Sequence, residues 1–314
     1  MRLLVLPCVG LAAGCLPTDT RPPPAEVEMT ASSSDATRQG VTTVDGYDIR
    51  FERVLASLGQ AYVGDGDDET GGACDQYSSP QYTRLFDFMV VEKPEKVGLA
   101  YALGKCPFGF VVRFPNPDAI LGTGATYADG EYMRIPDTDR YATDAGISLY
   151  VIGSATQGAI TKHFSWEFRE RMGYRDCWVP DGETKQTHLS LESGASVRVN
   201  VEMQAEALFR DQLEPAIGLL RFQPFADSDT NGDDVVTLDE LDGTQLADLS
   251  PGYEYPDKLG VPSADAPFVC SDTEGMPVAV KTLGDYAYCA AAPSVARFQG
   301  VGGCKIAAGR RPRD

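Results

Sequence analysis

Between residues 47 and 52 the chain alternates, Tyr47, Ile49 and Phe51 apolar against Asp48, Arg50 and Glu52 polar, a period of two that turns one face of a strand inward. Alternating or apolar runs of strand length recur at 85–91, at 108–114 with Phe108, Phe110, Val112 and Phe114 inward, and at 147–151, 160–168 and 197–203. Turn-forming clusters separate them, such as Pro115, Asn116, Pro117 and Asp118, or Asp129 and Gly130. Strands of this kind with no helical period between them predict a mainly β protein, an antiparallel sandwich or barrel, of which the antiparallel β-sandwich over 46–212 is adopted.

After Met203 the period changes. Residues 205–212 read as about two helical turns, 217–222 are apolar, and Pro224 suits the first turn of a short helix over 224–228. Leu238, Leu241, Leu246 and Leu249 give 238–249 a helical face, and Leu283, Tyr286, Ala287 and Ala290 give one to 282–291, with Pro293 as its stop. The expectation is a small C-terminal helical part within 213–305, followed by a basic tail at 306–314. Ahead of the β pattern, 15–45 is rich in Pro, Ser and Thr and reads as a disordered tether.

One stretch in the helical part combines residue types and spacing that specify a chemistry. Counted from Asp229, residues 229–240 place side-chain oxygens at positions 1, 3, 5 and 9, on Asp229, Asn231, Asp233 and Thr237. The Val235 carbonyl falls at position 7 and the Glu240 carboxylate at position 12, while Val236 at position 8 is apolar. Calcium takes about six to eight oxygens at roughly 2.3–2.6 Å, so alternate residues must turn inward and a distant carboxylate must close the far side. Counting from Asp227 would gain Gly232 at position 6 but put Asp234 at the apolar position and Leu238 at the closing one, so that register is rejected. In the accepted register Asp234 makes the sharp turn, a left-handed conformation that costs a non-glycine residue roughly 1–2 kcal/mol and that Asp bears better than most.

The stretch resembles the single EF-hand-type loops of exported bacterial proteins, over roughly residues 222–249. The resemblance implies Ca2+ as the cofactor, held by Asp229, Asn231, Asp233, Val235, Thr237 and Glu240. A lone hand implies a structural ion, because calcium sensors pair two hands. An acidic surface turn that binds nothing is the competing reading. A second acidic run, 64–72, has no apolar position 8 and reads as a solvated loop.

The N-terminus decides the expected compartment, and charge bounds the partners. With 27 Lys and Arg against 46 Asp and Glu, a formal charge of −19 repels nucleic acid, which is excluded as a partner, and draws cations. Met1 and Arg2 open an apolar run to Ala13 that is too short to span a bilayer and reads as an export signal. Its end, Leu11, Ala12, Ala13, Gly14 and Cys15, resembles a bacterial lipobox, with Ala12 where Leu is commonest. That resemblance implies a signal peptide over 1–14, a lipid on the Cys15 thiol as the membrane contact and, because Leu16 follows, an outer-membrane or cell-surface location. A plain secretion signal with an incidental Cys15 is the alternative.

Six further cysteines, Cys74, Cys106, Cys177, Cys270, Cys289 and Cys304, read as three disulfides in an exported chain, with 15 possible pairings. Neighbourhood along the chain suggests Cys74 with Cys106 and Cys289 with Cys304, leaving Cys177 for Cys270. Trp178 then reads as packing on a disulfide.

Thr161, His163, Ser165, Glu167 and Arg169 share one face of the 160–168 strand, opposite Ile160, Phe164, Trp166 and Phe168, and read as a polar outer face. No GxSxG or HExxH pattern occurs, and His188 is the other histidine of the chain. Two functions follow. The first is a non-enzymatic, lipid-anchored, calcium-binding module with an unidentified protein or glycan partner. The second is an exported hydrolase with Glu167 and Asp129 as acid and base and calcium stabilising the fold.

Overall fold

The structure is a computed structural model that describes residues 21–64, 74–78, 82–137, 146–169, 171–213, 217–249, 253, 255 and 280–307. Residues 1–20 with Cys15, where the export signal is expected, 65–73, Cys270 and the tail from 308 lie outside the described residues.

The alternation at 47–52 begins the strand Asp48–Val63, the longest among the described residues. One edge of it carries Leu149–Gln157 and, further along, Phe108–Val112; the other carries Val41–Thr42 and then Thr83–Asp87. Beyond Leu149–Gln157 lie Ile160–Phe168 and then the two-residue strand Val235–Val236; beyond Phe108–Val112 lie Met172–Asp181 and Gly303–Ala307. A second sheet has Ala25–Ser33 at its centre, antiparallel to Glu95–Cys106 and parallel to Ser196–Met203. The chain is thus mainly β, with mixed sheets and a small helical part. Pairing is not antiparallel throughout, because Ala25–Ser33 joins Ser196–Met203 in parallel and Val235–Val236 joins Ile160–Phe168 in parallel, through long connections that leave the strand direction free.

The stretch 15–45 is not a disordered tether over its second half. Ala25, Val27, Met29 and Ala31 alternate along Ala25–Ser33 and are fully buried, and the polar residues between them are satisfied by the next strands. The Thr30 hydroxyl donates to the Val199 carbonyl at 3.2 Å and the Ser33 hydroxyl to the Val91 carbonyl at 3.0 Å. A short helix, Asp35–Gln39, follows, capped by Ser34 and ended by Gly40 at φ 85°, where a Cβ would lie 2.4 Å from the Ile49 carbonyl oxygen.

The C-terminal region shares the core of the β part. One cluster of buried residues runs from Val27 and Val199 through Phe51, Phe110 and Trp166 to Phe209, Phe222, Phe225, Leu241 and Leu283. Around Trp166 the rings of Phe164, Phe209 and Phe225 stand 4.9, 5.6 and 5.7 Å away, within the range in which aromatic pairs attract. The helices are shorter than the periodicity predicts. Residues 205–212 form a 3₁₀ turn, Ala205–Phe209, and 238–249 breaks into Leu238–Gly243 and the 3₁₀ turn Leu246–Asp248, with Thr244 extended between them. Pro293 does not stop the last helix, which runs from Leu283–Tyr286 through a π segment, Ala287–Ala291, into Ala292–Ser294. There the Ala292 N–H reaches back to the Ala287 carbonyl, and this widened turn takes up a proline that has no N–H to give.

The disulfides correct two of the three pairings. Cys74–Cys106 is present, and Cys177 pairs with Cys304, so neither Cys289–Cys304 nor Cys177–Cys270 exists. The reason is strand register: Met172–Asp181 and Gly303–Ala307 are antiparallel neighbours with Trp178 opposite Gly303, which sets the two cysteines side by side. Trp178 lies over Gly303, where a Cβ would meet the indole at 2.9 Å, so the ring does pack beside a disulfide. Cys289 is itself disulfide-bonded.

Candidate metal site

The loop 229–240 is anchored at both ends by elements the sequence builds locally. It leaves the helix Gln223–Asp227, whose Pro224 occupies the first turn and whose leading N–H groups at Phe222 and Gln223 donate to the Asp45 carboxylate at 2.9 and 2.8 Å. It enters the helix Leu238–Gly243 through a capping box: the Thr237 hydroxyl accepts from the Glu240 N–H, and Glu240 Oε2 accepts from the Thr237 N–H at 2.9 Å. Between the two, Val235–Val236 joins the sheet beside His163 and Phe164, and the Trp166 indole N–H donates to the Val236 carbonyl at 2.9 Å. Val236 is fully buried, as position 8 requires.

Within the loop the oxygen-bearing side chains turn inward onto backbone N–H groups. Asp229 accepts from Gly232 at 2.8 Å and from Asp234 at 3.0 Å, Asn231 from Asp233 at 2.8 Å, and Asp233 from Val235 at 2.9 Å. Asp234 stands at φ 63°, the left-handed turn expected of position 6, and its carbonyl accepts from the His163 N–H at 2.8 Å.

The loop's carboxylates also meet a side chain from elsewhere in the chain. Lys162 Nζ lies 2.6 Å from Asp229 Oδ2 and 2.7 Å from Asp234 Oδ1, and the Asp229 side chain keeps no exposed surface. The hydrogen bond from Lys162 holds the Asp229 carboxyl below its ordinary pKa, and those the ammonium donates to Asp229 and Asp234 push Lys162 up. The sequence carries a signal for this residue. In the alternation of Ile160–Phe168, Lys162 shares the inward face with Phe164 and Trp166, and a charge there calls for a carboxylate partner.

The donors fit a calcium ion in kind, being oxygens throughout, and Glu240 Oε1 is a buried carboxylate oxygen with no hydrogen-bond partner. They do not converge: among the described residues no three His, Cys, Asp or Glu side chains are grouped closely enough to hold a metal. Asp229 is engaged by Lys162, and Glu240 is turned back on Thr237.

The carboxylates considered for hydrolysis have structural partners. Asp129 closes a capping box with Thr126 and pairs with Arg53 at 2.9 Å, and Glu167 pairs with Arg169 and accepts from the Tyr132 hydroxyl. Burial alone would raise the Asp129 carboxyl, but the Thr126 hydrogen bonds and the Arg53 guanidinium hold it below its ordinary value, the wrong direction for a general acid. His163 lies exposed on the outer face.

No protein-family model, no curated protein and no solved structure matches this chain.

Proposed function

We propose that the chain is an exported, non-enzymatic binding module held at the outer membrane or cell surface by a lipid on Cys15, with a structural calcium ion in the loop 229–240. The observation that carries the calcium reading is the course of the loop: Asp229, Asn231 and Asp233 turned onto the loop's own N–H groups, a left-handed Asp234, and an orphaned oxygen on Glu240 in the helix that follows. Asp229, Asn231, Asp233, Thr237, Glu240 and the Val235 carbonyl would hold the ion. A bound calcium would supply a cross-link between the helices on either side and the sheet edge at Val235–Val236. Disulfides at Cys74–Cys106 and Cys177–Cys304 support export, because such bonds persist in oxidising compartments. The partner of the β part is a protein or glycan of unidentified kind.

Titration of calcium into the purified protein by calorimetry should give a Kd of about 10⁻⁴–10⁻³ M or slightly tighter. At about 100 times Kd the folded state gains about 2.7 kcal/mol, a rise in Tm of roughly 4 °C for a chain of this size, and Glu240→Gln should abolish it. Absence of binding heat, together with a melting curve indifferent to calcium, would remove this reading. Lipidation is checked by growth with a clickable fatty acid: the natural chain should carry label and Cys15→Ala should not. Equal labelling of the two would show that Cys15 is not the anchor.

A further inference from the structure

We propose that the outward face of the strands Phe108–Val112, Met172–Asp181 and Gly303–Ala307 binds a linear acidic glycan, gripped by Arg113, Arg171, Arg175 and Lys305 beside the ring of Tyr62. This rests on the reading of the chain as a binding module and names the class of its partner.

Strand register assembles the four cations. Phe110, Val112, Met172 and Tyr174 turn into the core, so the alternating residues Arg113, Arg171 and Arg175 turn out. Met172 stands opposite Val112, which sets Arg171 against Arg113, and Arg175 stands opposite Lys305. Two pairs of cations therefore lie about 13 Å apart along one strand, at roughly 3.3 Å per residue. Arg171 and Arg175 are exposed, as is 73% of the Lys305 side chain.

The fold leaves this charge largely unanswered. Like charges directly opposite each other destabilise a pair of strands, and here burial and the charge of Arg171 hold the Arg113 guanidinium below its ordinary pKa. Arg113 Nε is buried with no hydrogen-bond partner, and its guanidinium lies 5.0 Å from the centre of the Phe114 ring. Arg171 donates to the Gln60 amide oxygen at 3.2 Å, a neutral partner. Among the described residues Asp176 meets Lys305 at 3.0 Å, and no carboxylate forms an ion pair with Arg113, Arg171 or Arg175. In a chain where 46 acidic residues outnumber 27 basic ones, such a face calls for an anion from outside.

The spacing gives the shape of that anion. Guanidinium groups favour planar oxyanions, which they hold with two parallel N–H groups. Two grips about 13 Å apart on one strand suit acid groups repeated along an extended chain. Tyr62 stands opposite Gly109, where a Cβ would meet its ring at 2.0 Å, and its hydroxyl donates to the Tyr174 carbonyl at 2.7 Å. Burial pushes that hydroxyl up to about 12 against the pull of Arg175 and Arg171, which places both guanidiniums near the ring. A fixed, half-buried ring beside cations suits a sugar, whose C–H face stacks on the ring while its acid group reaches a guanidinium. An anionic bilayer would also face the acidic remainder of the chain, whereas a glycan strand meets this face alone.

Calorimetric titration in chelator tests the proposal with calcium playing no part. The probes are a heparin oligosaccharide and an oligogalacturonate, which present sulfates and carboxylates on a sugar chain. The natural chain should bind at least one of them, and Arg171→Gln with Arg175→Gln should weaken that binding about tenfold or more. Lys93→Gln with Arg198→Gln removes two exposed cations elsewhere and should leave it within about twofold. Arg171→Gln alone should melt no lower than the natural chain, because it relieves the repulsion at Arg113. Binding of neither glycan, or an equal loss in the two double variants, would overturn the proposal and leave the calcium reading standing. Polyglutamate bound more tightly than both glycans would keep the binding module but give the face to an acidic protein. Phosphatidylglycerol vesicles bound more tightly would give it to a lipid surface, and either result overturns the glycan. A fall of several degrees in the melting of Arg171→Gln would show that arginine serving the fold and would count against the proposal.

Discussion

Glu206 shows how single residues join segments far apart in the chain. Its carboxylate, 5% exposed, accepts from the Ser34 hydroxyl at 2.8 Å and the Thr37 hydroxyl at 2.9 Å, tying the helix Asp35–Gln39 to the turn Ala205–Phe209. Burial pushes this carboxyl above its ordinary range, more than the hydrogen bonds it accepts and the charge of Arg210 pull it down. With the folded pKa above the unfolded one, the native state binds the extra proton between the two values. This group's contribution to stability is then fullest below the unfolded value, about 4.3, and is lost as pH rises through the raised one. Asp129 and Asp229, whose carboxyls are held low, act in the opposite sense, so the effect is read by difference. Glu206→Gln keeps an acceptor for both hydroxyls and removes the titration. Its stability relative to the natural chain, measured by urea unfolding from pH 4 to 7, should climb with pH. Parallel profiles would show that Glu206 does not titrate with folding.

Among elements, the pair Met172–Asp181 and Gly303–Ala307 decides how the end of the chain is held. Their disulfide, Cys177–Cys304, closes 127 residues of sequence and joins the last described strand to the large sheet. A link over so long a loop restricts the unfolded chain strongly, and removing one costs about 2–5 kcal/mol. The double variant Cys177→Ser with Cys304→Ser should therefore melt roughly 3–8 °C lower by calorimetry. Peptide mapping of the natural protein should recover the two cysteines in one linked species; a Cys289–Cys304 peptide instead would contradict the strand register.

In the whole molecule, residues before 46 and after 212 complete sheets whose other strands lie between them, and one apolar core spans all three parts. That is why the β pattern was legible in places and hidden in others. Tyr47, Ile49 and Phe51 alternate against charged neighbours, and the strand Ile160–Phe168 has the bounds its sequence predicts, because a half-buried strand writes its period into the side chains. Ala25–Ser33 is central and more deeply buried, yet Thr30, Ser32 and Ser33 disguise it as tether. Their hydroxyls are acceptable inside because neighbouring segments supply partners, which composition does not record. In the candidate site, the order of oxygens from Asp229 to Glu240, the apolar Val236 and the capping box at Thr237 are local, and the sequence by itself determined them. Which cation meets Asp229 was decided only in three dimensions. Lys162 is 67 residues away along the chain and reaches the loop because Val235–Val236 pairs in parallel beside its strand. The same holds for Cys177 with Cys304 and Ser34 with Glu206: short-range spacing sets the period, the caps and the turns, whereas pairing between distant segments follows from burying one shared core.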